Sequence, residues 1–98
     1  MNQRTYQRNR NLKNKRIVFE QISHNDPPFC LICDEEDFDV LTLDHINNDG
    51  KAWRKIHGMG SAFHEWLIRN EFPEEPKLQV LCANCNLRKE TYRRREKK

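Results

Sequence analysis

Two short motifs, Cys30-Leu31-Ile32-Cys33 and Cys82-Ala83-Asn84-Cys85, hold all four cysteines of a 98-residue chain, with 48 residues between them. A CxxC turn presents two thiolates from one tight loop, and two such loops complete a tetrahedral zinc shell. Two disulfides or a redox CxxC could use the same residues, but no βαβ pattern of the kind a thiol oxidoreductase needs surrounds either pair. The spacing therefore suits one structural zinc held by Cys30, Cys33, Cys82 and Cys85. Only 36% of the residues are hydrophobic, so a chain this short cannot build a large core. Zinc contributes about 10 to 16 kcal/mol in small metal-dependent domains, against a whole net stability of about 5 to 15 kcal/mol for a typical one. The metal is expected to be a condition of folding. With all four positions filled by protein it leaves no place for a reactive water, so any chemistry has to lie elsewhere.

Charge is divided more sharply than the net value of +3 suggests. Residues 1–16 carry six Lys or Arg and no acid, residues 86–98 carry +5, and the middle carries −8. Basic ends on an acidic middle suit a nucleic-acid clamp, because each neutralised phosphate releases counterions; solvated tails are the blander alternative. No signal peptide and no apolar run of about 20 residues occurs, which points to a reduced, intracellular setting and to no membrane partner.

Val18, Phe19 and Ile22 predict a short helix over about Leu12–Ser23 behind a flexible basic arm, ended by Asp26-Pro27-Pro28. A solvated acidic turn, residues 34–37, should lead into a strand over Phe38–Leu43. Leu43-Asp44-His45-Ile46-Asn47-Asn48-Asp49-Gly50 then puts a carboxylate beside an imidazole where that strand enters a polar turn, with Asp44 and His45 on opposite sides unless the chain bends. After a second loop at Gly58-Met59-Gly60, Ser61 is placed to cap a helix whose Phe63, Trp66 and Leu67 make a core stripe reaching about Phe72. Leu78–Leu81 reads as a short buried strand. A last helix from near Asn84 carries Asn86, Lys89, Glu90 and Arg93 on one face. One zinc on both knuckles would tie that helix beside the Asp44-His45 strand. An anionic oxygen, a neutral amide oxygen and a titratable imidazole would then meet, the three groups that phosphodiester hydrolysis needs.

The segments LDHINNDG and LQVLCANCNLRK, in that order and framed by the two knuckles, resemble the HNH endonucleases over roughly Cys30 to Lys89, small phage and bacterial members above all. The resemblance implies an α+β fold: a small zinc-stabilised ββα-metal (HNH, or His-Me finger) domain with flanking helices and basic termini. Segments 1–24 (basic arm and short helix), 25–92 (nuclease domain) and 93–98 (basic tail) follow. It implies a DNA endonuclease with His45 as general base and with Asp44 and Asn86 holding Mg2+, Mn2+ or another divalent ion. A neutral imidazole can take that proton near pH 7 without heavy tuning. Double-stranded DNA is the implied partner and the bacterial cytoplasm the implied setting, phage-encoded versions included. RNA as substrate, a homodimer and a larger phage or bacterial complex all stay open. Arg54, Lys55, Arg88, Lys89 and Arg93 flank the expected site and suit phosphate contacts, Lys89 best placed of them.

The chain also departs from the family's pattern. Lys77 stands where many members have an Asn that buttresses the base-bearing loop, with Asn47, Asn48 or Asn70 as replacements. Trp53 precedes Arg54 where relatives have a His. His57 and His64 read as exposed or capping residues, an extra ligand or a phosphate contact being the sharper alternative. The competing function class is a zinc-ribbon-like nucleic-acid adaptor without chemistry.

Overall fold

Gln, Arg, Asn and Lys fill most of residues 3–16, and the straight-chain members among them lose little rotamer freedom in a helix. In the computed structural model, which describes residues 3–96, this stretch joins Val18 and Phe19 in one 21-residue helix, α1 (Gln3–Ser23). The expected flexible arm and short helix are thus a single element. Its last two turns are anchored by Val18 and Phe19, which are 0% and 1% exposed. An ion pair from Arg10 to Glu65, at 2.9 Å, ties its middle to a later helix.

The strand begins later than the sequence predicts. Asp37 accepts a hydrogen bond from the Asp39 amide at 3.1 Å, and this closes Phe38–Val40 into a 3-10 turn. Lys15 donates to the Phe38 carbonyl at 3.0 Å and fixes the turn against α1. Strand β1 then runs Leu41–His45 and pairs antiparallel with β2 (Leu78–Cys82), Leu41 opposite Cys82 and Asp44 opposite Gln79. Between them lie α2 (Gly50–His57) and α3 (Ser61–Arg69), and α4 (Ala83–Glu96) follows β2 directly.

Two helix ends differ from the expectation. Ser61 is the first residue of α3, and Gly60, at φ 58°, occupies the cap position with no side-chain hydrogen bond. The helix stops at Arg69 because Glu71 and Phe72 take positive φ, and the Phe72 amide turns back to the Leu67 carbonyl at 2.9 Å. Arg93–Glu96 continue α4 instead of forming a separate tail; Met1, Asn2, Lys97 and Lys98 lie outside the described residues.

Strand alternation sorts the sheet into two faces. Thr42 and Asp44 meet α4, while Leu41 and Leu43 pack into a core with Val18, Phe19, Phe63 and Leu67. Cys30, Cys82 and Cys85 belong to that same buried cluster, so α1, α3 and the knuckles share one core. No helix among the described residues is long and apolar enough to cross a membrane.

Candidate active site and metal centre

The two knuckles are brought together by sheet pairing. The Leu31 amide donates to the Val80 carbonyl at 3.0 Å, which docks the first CxxC on β2, and β2 itself ends in Cys82. The ligand atoms of Cys30, Cys33, Cys82 and Cys85 all lie within 4.8 Å of one another, with the Cys33 and Cys82 sulfurs 3.6 Å apart. A tetrahedral zinc with bonds of about 2.3 Å separates its sulfurs by about 3.8 Å, so the cluster has the size of a metal shell. All four thiols are free, and no disulfide occurs among the described residues. Burial, and then hydrogen bonding with the other three sulfurs, pushes the Cys85 thiol up to about 12. Burial works in the same direction on Cys30, yet backbone donors from Cys82, Cys33 and Ile32 outweigh it and bring that thiol down to about 6. Four such groups can hold a metal ion.

Beside this cluster, a cavity of about 190 Å3 is lined by Asp44 and His45 from β1, by Asn86, Glu90 and Arg93 from α4, and by Asn48, Gly50 and Arg54. The three residues singled out for chemistry therefore face one space. Asp44 is 8% exposed, and its Oδ2 accepts from Lys89 at 2.7 Å and from Gln79 at 2.8 Å. Asn86 donates its amide to the Thr42 hydroxyl at 2.9 Å, and Thr42 donates to the Leu81 carbonyl at 2.8 Å. Asn86, Lys89, Glu90 and Arg93 share the helix face that their spacing predicts.

His45 is held mainly by shape. Its ring meets the Phe63 ring edge-on at 5.5 Å, and its carbonyl accepts from the Asn48 amide at 3.0 Å and from Lys89 at 2.9 Å. On its Nδ1 side the backbone of Gly50 comes so close that an added Cβ would lie 2.9 Å from Nδ1. Burial lowers the imidazole's affinity for a proton, against the opposing charge of Asp49. Nε2 of His45 and Oδ1 of Asp49 are buried and have no hydrogen-bond partner among the described residues.

The residue after His45 is held through the main chain at Lys77. The Ile46 amide donates to the Lys77 carbonyl at 2.9 Å, while the Lys77 side chain points to solvent and pairs with Glu75 at 3.4 Å. Asn48 contributes its amide, and the Asn70 side chain is engaged with the Trp66 carbonyl at 2.8 Å.

The expected phosphate-binding residues are distributed unevenly. Arg54 and Arg93 reach the cleft, but Arg93 is bound to Glu90 through two hydrogen bonds of 3.0 and 2.6 Å, which hold the Glu90 carboxyl below its usual range. Lys89 is engaged with Asp44. Arg88 lines a neighbouring cavity with Lys89 and Arg93, and Lys55 lies exposed on α2, outside both. His57 and His64 are packed among rings instead of exposed or capping. His57 stacks 4.0 Å from Trp66 and 5.5 Å from Trp53, and His64 meets Phe19 edge-on at 5.8 Å.

Gln79, Thr42, Asp49 and Gly50 are the site residues that sequence reasoning passed over. Strand register would have found Gln79 opposite Asp44, but only once β1 and β2 were known to pair. No family model, curated protein or solved structure matches the chain.

Proposed function

We propose that this chain is an HNH-type endonuclease, stabilised by zinc on its four cysteines, that hydrolyses DNA phosphodiester bonds with a divalent ion held by Asp44 and Asn86. The observation that carries the reading is the single cleft that gathers Asp44, His45 and Asn86 from β1 and α4, next to the four-thiol cluster. The chain order β1, β2, α4, with α4 across the Asp44 face, agrees with a ββα-metal unit.

The donors fit a hard cation. Lys89 and Gln79 both use Oδ2 of Asp44, and Asn86 uses its amide nitrogen on Thr42, so Oδ1 of each residue is the atom left for a metal. Two protein oxygens with water completing the shell suit Mg2+ or Mn2+. When bound, such an ion stabilises the negative charge that develops on the phosphate and the leaving oxygen.

The chain's own groups do the rest. Burial keeps His45 neutral at pH 7, the form able to take a proton from an attacking water. Phe63, Gly50 and the bonds to its carbonyl fix the ring's place, so the base needs no reorganisation. Lys89 gives Asp44 a cation partner, and Arg54 at the cleft wall is suited to a bidentate phosphate contact.

A second reading, a DNA-binding adaptor without chemistry, is favoured by the Lys89–Asp44 ion pair, which occupies one oxygen of the only carboxylate proposed as a ligand. Supercoiled plasmid incubated with zinc-loaded protein and a panel of divalent ions separates the two. Nicked or linear product with at least one ion supports the nuclease, and salt-sensitive binding without product under any ion supports the adaptor.

A further inference from the structure

The catalytic cleft opens toward a second surface that phosphodiester chemistry does not use. Leu43, His45 and Arg54 of the cleft also line a cavity with Met59, Gly60 and His64, and His64 lines in turn an open groove of about 850 Å3 along α1. Arg4, Arg8, Asn11 and Lys15 face that groove, with Ser61 and His64 on its far wall. Steps of four, three and four residues keep those α1 side chains on one helix face over about 16 Å.

The chemistry of α1 calls for a polyanion. No acidic residue occurs before Glu20, so the positive end of the helix dipole is surrounded by cations, and Arg4 and Arg8 repel each other at i,i+4. Both effects disfavour the helix in isolation. Arg10 and Arg16 have acidic partners, whereas Arg4 and Arg8 have none among the described residues. Lys15 is set at the inner end of the groove by its bond to the Phe38 carbonyl and lies 4.4 Å from the Phe38 ring centre.

We infer that the α1 groove is a second backbone-binding site, which takes about five phosphates of the DNA flanking the cleft. At about 3.4 Å of rise per nucleotide, the 16 Å face covers that length of one strand. Arg4 and Arg8 contact phosphates, and the path past Met59, Gly60 and His64 connects them to the reacting position. The inference rests on the nuclease reading for its ligand class, and its test keeps the two apart.

The experiment is anisotropy with a short labelled duplex and the full zinc-loaded chain, without a catalytic ion, titrated in salt. Arg4→Gln/Arg8→Gln changes two exposed side chains and leaves the core intact. Each lost phosphate contact lowers the slope of log K against log salt by about 0.9, so the double variant should lose about 1.8 and bind about thirty-fold more weakly at about 0.15 M salt. Lys13→Gln, a charge removed outside the groove, should leave the slope unchanged. An unchanged slope in the double variant, an equal loss per charge in Lys13→Gln, or no salt-sensitive binding by the wild type overturns the groove. A protein that binds with the expected slopes but never cuts retains the groove and loses the nuclease reading.

Discussion

Replacing Gly50 with alanine should disable the site by crowding His45, at a limited cost in stability that leaves the chain folded. An ideal Cβ at residue 50 lies 2.9 Å from both Nδ1 of His45 and Nη1 of Arg54, whereas ordinary contact begins at 3.4 Å. Arg54 can swing its guanidinium aside. His45 cannot move as freely, because Phe63 lies against its ring at 5.5 Å and its carbonyl is held by Asn48 and Lys89. The ring must give by about half an ångström, an overpacking cost of about 1 to 3 kcal/mol. Alanine recovers up to about 1 kcal/mol of helix propensity at the start of α2, so the net loss is about 0 to 3 kcal/mol, or at most roughly 24 °C in Tm. A misplacement of about 1 Å costs about a hundred-fold in rate, so half of it should cost about ten-fold or more. Plasmid cleavage and thermal melts on Gly50→Ala and Gly60→Ala make the comparison. Gly60 sits at φ 58° and ψ −125° with nothing within 4 Å of its added Cβ, so its alanine costs about 1 to 3 kcal/mol of backbone strain without touching His45. Wild-type cleavage by Gly50→Ala, or an equal loss in Gly60→Ala, would show that the close approach at residue 50 does not position the base.

Three further outcomes are expected. The folded chain should carry one zinc and no free thiol, and a strong chelator or Cys85→Ser should unfold it, since the metal contributes about 10 to 16 kcal/mol; retained far-ultraviolet ellipticity without zinc contradicts this. Burial and then Lys15 hold His64 down at about 4 against 6.5, so the unfolded chain binds a proton that the folded chain refuses between those values. Stability should therefore fall as pH drops from 6.5 to 4, by about 2 kcal/mol after allowance for partial exposure, and His64→Leu compared at matched pH should remove that part of the slope. Lys89→Met leaves Asp44 with Gln79 alone, and because the pair is 24% and 10% exposed the cost should be about 2 kcal/mol, read as a lower denaturant midpoint with an unchanged m value.

The cysteine spacing and the Asp44-His45 step were legible because they are local chemistry, and so was the helix face bearing Asn86, which periodicity alone defines. Helix α2 was not. Gly50 opens it where a turn is the natural reading, and its eight residues are too few for Ala52, Trp53 and Ile56 to establish a period; Ile56 is 73% exposed, while Trp53 and His57 pack on Trp66 of the next helix. The first half of α1 reads as an arm because its apolar residues, Tyr6 and Leu12, set no period, and both are exposed in the fold. Phe38–Val40 looked like strand from side-chain preference, until the Asp37 carboxylate turned the backbone. Asn47, Asn48 and Asn70 are the side chains that residue type suggests for holding the chain beyond His45, whereas the Ile46 amide is held by the Lys77 carbonyl, which residue identity does not reveal.

Cleavage of supercoiled plasmid by wild type and His45→Ala, each verified to carry one zinc and to melt cooperatively, tests the central claim most directly. The wild type should produce nicked or linear DNA with Mg2+ or Mn2+, and His45→Ala should lose at least about a hundred-fold in rate. Undiminished cleavage by the zinc-loaded variant would contradict the assignment of His45 as the base.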